Sequence, residues 1–314
     1  MKVLMVQHPH SFQQHDFPPL VMALGFFDGV HLGHRKVIKT AKAKAVHNGW
    51  KSAVMTFDPH PSVVLSQENR PVEYITPLKE KIDLISRLGI DYLFIVRFTS
   101  AFANLDPARF VQQYLIDLNV RHVVAGFDFT YGKYGKGTMD TLPRHGMGML
   151  KVTAVAKMEE NDEKISSTSI RKMLREGETE SVVSFLGRHY ETKGTVIHGE
   201  KRGRQLGFPT ANIQLDGDYM IPKAGVYAVR LFVNGRWEKG VCNIGYKPTF
   251  HDTGKSHLSI EVHLLNFNRS IYGEEVVVEW RHRIRDETKF HSLEDLKTQI
   301  ANDIEKASNF LDPI

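Results

Sequence analysis

A chain of 314 residues with 41% hydrophobic and 25% charged side chains has ordinary globular composition and enough apolar residues for about two cores. Its net charge is +5, with 41 Lys and Arg against 36 Asp and Glu dispersed along the chain, so the excess suits anionic small substrates as well as it suits nucleic acid. No apolar run reaches the ~18 residues that span a bilayer, and no basic module with interleaved aromatics stands out, so neither a membrane nor a nucleic-acid partner is expected. The single cysteine, Cys242, leaves no intrachain disulfide, and the start MKVLMVQHPH lacks a secretory pattern. Both point to a cytoplasmic protein.

In chain order, short apolar runs at residues 2–6, 20–24, 52–57, 92–98, 122–126 and 150–156 read as strands. Helical periods lie between them at 31–48, 77–88 and 107–118. Strands alternating with helices imply an α/β domain with a parallel sheet, whose ligands sit beyond the strands' C-terminal ends.

Residues 21–38, VMALGFFDGVHLGHRKVI, are the centre of that domain: an apolar strand stops at Gly25, turns through Asp28-Gly29, and enters a helix at His31–His34. A helix start offers free N–H groups and positive potential to a phosphate. His31 and His34 share one side of that turn and can each donate to phosphate oxygens, while Gly33 permits close approach. The same pair could instead hold a metal or sit on a solvated helix end.

Further segments belong at the same edge. The prolines of TFDPHP (56–61) end a strand there. GFDFTYGKYGKGT (126–138) reads either as a mobile loop over a substrate or as an ordinary surface loop. In KISSTSIRKMLREG (164–177), Ser166 or Ser167 can cap a helix with Ile170, Met173 and Leu174 on its apolar face. Its hydroxyls and free N–H groups, with Arg171, make a second anion site, or merely a capped surface helix.

After Gly177 the pattern changes. A short helix at 178–185 ends at Leu186-Gly187, and a domain boundary is placed near residue 186. Strand-like runs follow at 194–198, 211–215, 226–233, 236–244, 258–264 and 276–281, with Asn234-Gly235 as a tight hairpin. These predict a barrel or sandwich. A last helix begins at Leu293, with Ser292 as its cap and Leu296, Ile300, Ile304 and Ala307 on one face.

GEKRGRQLGFPTANI (199–213) carries the chemistry of this half. Gly199, Gly203 and Gly207 allow a tight phosphate-facing loop, charged by Lys201, Arg202 and Arg204, without P-loop spacing. If Pro209 begins a strand, Thr210 and Asn212 present two oxygens on one face, which suits Mg2+ bridging ATP phosphates. A glycine-rich hairpin with a polar strand face is the plain alternative.

Several strings resemble known families. GFFDGVHLGH is similar to the signature of nucleotidyltransferases related to class I aminoacyl-tRNA synthetases, in which the histidines hold ATP phosphates, and SSTSIR resembles a later segment of the same proteins. GFPTANI resembles the flavokinase signature, and NIGYKPTF, SIEVHLLNFNRSIYG and RIRDETKF resemble the later flavokinase segments in order. Nearly the whole chain thus resembles the bifunctional prokaryotic FAD synthetase family.

That resemblance implies a Rossmann-like α/β nucleotidyltransferase domain at 1–186 and an all-β, six-stranded flavokinase barrel with a C-terminal helix at 187–314. It implies two reactions, riboflavin and ATP to FMN and ADP, then FMN and ATP to FAD and pyrophosphate, with Mg2+ in both. It assigns His31, His34 and Arg171 to adenylyl transfer, with Gly25, Phe27, Asp28, Gly33, Asp128, Ser166, Ser167 and Thr168 around the nucleotide. Gly199, Lys201, Gly203, Arg204 and Gly207 would bind the second nucleotide, Thr210 and Asn212 Mg2+ and phosphates, and Glu261 would be the base on the riboflavin 5′-hydroxyl. Asn266 and Asn268 stand where acidic residues are expected, and Asp128 where some relatives carry asparagine. Two other functions fit the same chain: a nucleotidyltransferase for another substrate whose barrel only binds, and a flavin-responsive or RNA-binding regulator without turnover.

Overall fold

The strand that leads into the histidine turn is buried at every one of its positions, as a strand covered on both faces must be. It belongs to the first of two compact units, Met1–Ser167 and Thr168–Ile314, of a computed structural model that describes residues 1–66, 72–199, 203, 206–248 and 256–311.

The first unit is a doubly wound sheet. Its strands are β1 (Lys2–Val6), β2 (Leu20–Leu24), β3 (Lys51–Asp58), β4 (Tyr92–Arg97), β5 (Val120–Gly126) and β6 (Lys151–Val155), in the order β1-β4-β3-β2-β5-β6. Every neighbouring pair is parallel. The winding reverses between β2 and β5, which opens the ligand crevice beyond Leu24 and Gly126. Helix α1 (Leu32–Asn48) buries Val37, Ile38, Ala41 and Ala45 against one sheet face, the spacing read from the sequence. Helix α2 (Leu78–Ser86) covers the same face through Ile85, Leu78 and Ile82.

One expectation is corrected here. The helix expected over 107–118 is α3 (Pro107–Val111), followed by a π-helical turn at Gln112–Ile116. Tyr114, Leu115 and Ile116 are all buried within this widened turn. Within the glycine-rich 126–138 segment, Thr130–Tyr131 pairs with Gly137–Thr138. Tyr131 is buried against Phe110, and its hydroxyl lies 2.8 Å from His145 Nδ1.

Helix α4 (Ser167–Glu176), which belongs to the second unit from Thr168 on, buries Ile170, Met173 and Leu174 as expected, and α5 is Ser181–Leu186. Six antiparallel strands then close a barrel in the order β7-β8-β11-β10-β9-β12. They are β7 (Tyr190–Ile197), β8 (Ala211–Leu215), β9 (Gly225–Val233), β10 (Arg236–Pro248), β11 (Ser256–Leu264) and β12 (Glu275–Arg285). Asn234 and Gly235 have φ of 50° and 78°, the primed turn their sequence predicts. β7 begins four residues before its apolar run, and Tyr190, Thr192, Gly194 and Val196 alternate inward along it.

Helix α6 (Leu293–Leu311) packs Ala307 and Leu311 against the barrel, and Ser292 Oγ caps it by accepting from Asp295 N at 3.1 Å. Its buried Asp303 accepts a forked pair of bonds from Arg285 Nε and Nη2 at 3.0 and 2.7 Å. Removing one partner of a buried pair typically costs about 3–5 kcal/mol. Asp303→Ala should therefore lower barrel stability by that amount in urea unfolding, whereas an unchanged midpoint would mean that α6 docks by apolar contact alone. No helix among the described residues is long and apolar enough to cross a membrane.

Candidate active sites

The first site is made by the turn between β2 and α1. A Cβ on Gly25 would lie 2.8 Å from the Phe27 ring, so only glycine lets that ring fold back under the strand end. Phe27 and Val30 both hold positive φ, 56° and 41°, in a conformation that side chains rarely adopt. Such a turn persists only when its surroundings over-determine it. The buried Asp28 carboxylate accepts from Ile75 N at 3.2 Å and Thr76 N at 2.9 Å, while the Asp28 carbonyl accepts from Ser167 Oγ at 2.9 Å. The Phe26 carbonyl accepts from Thr56 Oγ1 at 2.7 Å and from Lys81 Nζ at 3.0 Å. Asp28→Ala would strand two buried N–H groups, a loss of about 3 kcal/mol. That loss should appear as earlier unfolding of the α/β unit in urea, together with weaker nucleotide binding.

The two histidines are held by the helix start itself. His31 is the N-cap of α1, its Nδ1 accepting from His34 N at 3.2 Å. The Nδ1 lone pair therefore faces the backbone, so a proton on the ring belongs on Nε2. The His34 ring stacks on His31 with centroids 3.5 Å apart and meets the edge of Phe27. Burial, then the charges of His31 and Lys81, hold His34 well below its ordinary pKa, so it is neutral at pH 7. His34 Nδ1 is buried with no hydrogen-bond partner among the described residues. Gly33 sits where a Cβ would come within 3.1 Å of the His31 ring.

Asp128, just beyond β5, pairs with Lys164 at 2.6 Å on an exposed surface. Ser166 and Ser167 belong to the unit of the histidines, and Thr168 and Arg171 to the second compact unit, where they lie in the first turns of α4. Ser167 is the first residue of that helix, and its hydroxyl is engaged with the Asp28 carbonyl.

The second site lies on the barrel. β8 and β11 pair so that Asn212 faces Glu261 across the ladder, and Thr210 Oγ1 donates to Glu261 Oε2 at 3.3 Å. Ser259, two residues back on the same face of β11, donates to Glu261 Oε1 at 3.1 Å. Pro209 precedes β8, which begins at Ala211, and its carbonyl accepts from His263 Nδ1 at 2.8 Å. Gly199 lies directly against the Asn212 side chain, where any Cβ would collide with the amide. Gly203 accepts on its carbonyl from Leu206 N and Phe208 N, and Gly207 holds a φ of 91°. Lys201 and Arg204 lie outside the described residues. Cys242, buried beneath this site, has its thiol pushed up by burial and by the Glu261 carboxylate, so it stays protonated and inert.

Sequence reasoning missed Ser259 and Lys81. Lys81 carried a signal: with Leu78, Ile82 and Ile85 it falls on the apolar face of α2, where a lysine has no ordinary reason to be.

The α/β crevice with a histidine-capped helix and the barrel with a threonine–asparagine–glutamate cluster define a two-domain phosphotransfer protein. Residues 13–169 match the FAD synthetase family and residues 186–311 the riboflavin kinase family. The bifunctional riboflavin kinase/FMN adenylyltransferase of Bacillus subtilis is 51% identical over 99% of this chain and 98% of its own. That of Listeria monocytogenes is 51% identical over 96% of each chain. A crystal structure from Streptococcus pneumoniae, described as a macrolide-efflux protein, superposes with a TM-score of 0.86 and 32% identity over 98% of this chain and 99% of that one. The chain belongs to the bifunctional riboflavin kinase/FMN adenylyltransferase family.

Proposed function

We propose that the barrel phosphorylates riboflavin with ATP, giving FMN and ADP, and that the α/β unit adenylates FMN with a second ATP, giving FAD and pyrophosphate. The observation that carries this reading is the stacked His31–His34 pair, with His34 neutral, at a helix start in the sheet's switch-point crevice. In adenylyl transfer an FMN phosphate oxygen attacks the α-phosphorus of ATP, and the bond to the β-phosphate oxygen breaks. His31, His34 and the free N–H groups of α1 donate to the oxygens on which charge grows, and Arg171 is assigned to the same step by the family resemblance alone. Gly25, Phe27, Asp28 and Gly33 shape that pocket, and Asp128, Ser166, Ser167 and Thr168 border the nucleotide.

In the kinase step Glu261 takes the proton of the riboflavin 5′-hydroxyl as its oxygen attacks the γ-phosphorus. Thr210 and Ser259 orient the Glu261 carboxylate by their bonds to its two oxygens. Gly199, Gly203 and Gly207 would face the ATP phosphates, and Lys201 and Arg204, outside the described residues, are assigned to them by the resemblance alone. The hydroxyl of Thr210, the amide oxygen of Asn212 and the Glu261 carboxylate are hard oxygen donors, and no trio of His, Cys, Asp or Glu gathers as a metal cage among the described residues. Such a sparse set fits Mg2+ bound mainly through phosphates and water, and Thr210 and Asn212 would hold it. Bound there, Mg2+ would neutralise phosphate charge. We assign the functional division to near residue 186, where α5 ends, although the two compact units part after Ser167, and the enzyme to the cytoplasm, in keeping with its buried, unpaired Cys242.

The test is incubation with riboflavin, ATP and Mg2+ and chromatography over time. FMN should rise first and FAD follow, with ADP and pyrophosphate released. Phosphorylation without FAD, or FAD only from supplied FMN, would leave one half of the reading without support.

A further inference from the structure

Lys81 is the least ordinary side chain in the first unit. It is 2% exposed, its ammonium donates to the Phe26 carbonyl at 3.0 Å, and it stands 3.9 Å above the Phe26 ring. Among the described residues it forms no ion pair with a carboxylate. The charged and titratable groups around it come from each neighbouring element: Asp28 in the histidine turn, Asp58 at the end of β3, and His34 on α1. His60 packs on the other edge of the same Phe26 ring, with centroids 4.4 Å apart.

We propose that Lys81 is a positioning residue for the nucleotide, a buried positive charge that anchors the Phe26–Asp28 turn and stabilises the phosphates bound over His31 and His34. This rests on the assignment of adenylyl transfer to that pocket. A lysine serving only to hold the turn could be replaced by an apolar side chain, with Thr56 still bonding the Phe26 carbonyl at 2.7 Å. A charge buried as Lys81 is, by contrast, acts on a triphosphate at this turn far more strongly than one on the surface.

The amine's own titration supports the same conclusion. Burial pulls Lys81 down to about 8, against the opposing pull of Asp28 and Asp58, so the fold bears this charge at a loss of stability. Bound triphosphate favours the charged form and raises that pKa. By reciprocity, losing the proton weakens nucleotide binding by the same factor, tenfold for every pH unit that the bound nucleotide adds to the lysine's pKa. Lys81 is charged below about 8 and neutral above it, so tight nucleotide binding is expected below that pH and lost as pH rises through it.

The experiment measures KM for ATP in conversion of supplied FMN to FAD from about pH 7 to 9.5, where the phosphates, whose second pKa is about 6, no longer titrate. Riboflavin phosphorylation by the same chain is followed in parallel. In the unmodified protein KM should rise roughly tenfold across this range while kcat changes little, and the kinase step should show no such rise. Lys81→Met should raise KM roughly tenfold at pH 7, remove the alkaline rise, and unfold no earlier in urea. An equal loss of kcat and KM with the alkaline rise retained would mark a merely structural lysine and overturn the proposal. If Lys81→Met does not fold, the unmodified protein decides, because a flat KM profile overturns the proposal and a rising one supports it. Absence of FAD at every pH would instead defeat the assignment of adenylyl transfer itself.

Discussion

Replacing His31 and His34 together with alanine is expected to stop FAD formation while FMN accumulates from riboflavin at an undiminished rate. The loss is large because three things go at once. The Nε2–H donor of His31 and the ring of His34 no longer face the phosphates, and the N-cap of α1 is lost, since His31 Nδ1 accepts from His34 N. Removal of a single donor to a developing oxyanion typically lowers kcat about 10²–10³-fold. The double substitution should therefore bring the step to at most about a thousandth of its rate, on top of a cap loss of about 1 kcal/mol in α1. Product chromatography with supplied FMN and ATP is the measurement. Because His34 lies well below its ordinary pKa, it stays neutral through pH 6.5, and FAD formation should show no acid limb there from its titration. FAD formation within a few-fold of the unmodified rate would remove the histidines from the chemistry.

The second large effect is expected at Glu261. Glu261→Ala deletes the acceptor of both Thr210 and Ser259 and the proposed base, so riboflavin phosphorylation should fall about 10²–10⁴-fold. Conversion of supplied FMN to FAD should be untouched, since β11 belongs to the barrel. Glu261→Gln keeps the size of the side chain and one acceptor oxygen but cannot take the proton. A glutamine that restored phosphorylation would make Glu261 an orienting group and leave the base elsewhere.

Much of this arrangement is legible from local pattern. The run LVMAL, the glycine that stops it, and the apolar spacing Val37, Ile38, Ala41, Ala45 together specify strand, turn and helix, and the structure has each within a residue or two. The barrel is legible from six short runs and one Asn-Gly turn. What local pattern does not carry is partnership across the chain. Asp28 is fixed by N–H groups 47 and 48 residues away, and Thr210 meets Glu261 at a separation of 51. Nothing in either segment announces the other, and Glu261 enters only through its resemblance to a flavokinase segment. The π turn at Gln112–Ile116 is invisible for a different reason: one extra residue in a helical turn leaves the apolar spacing ambiguous. Tyr131, in a segment that reads as a mobile or an ordinary surface loop, packs on Phe110, a contact made between segments. Lys81 is the instructive miss, because a charge on an apolar helix face is visible in the sequence yet hides within the helical period around it.

Mixing the two inactivated proteins tests the central claim most directly, that one chain carries two independent sites used in succession. The His31→Ala/His34→Ala protein and the Glu261→Ala protein are combined with riboflavin, ATP and Mg2+, and FAD is followed by chromatography. Neither protein alone should make FAD from riboflavin, and the mixture should, through FMN released by the first and captured by the second. A mixture that stays inactive while both proteins are folded would contradict the account.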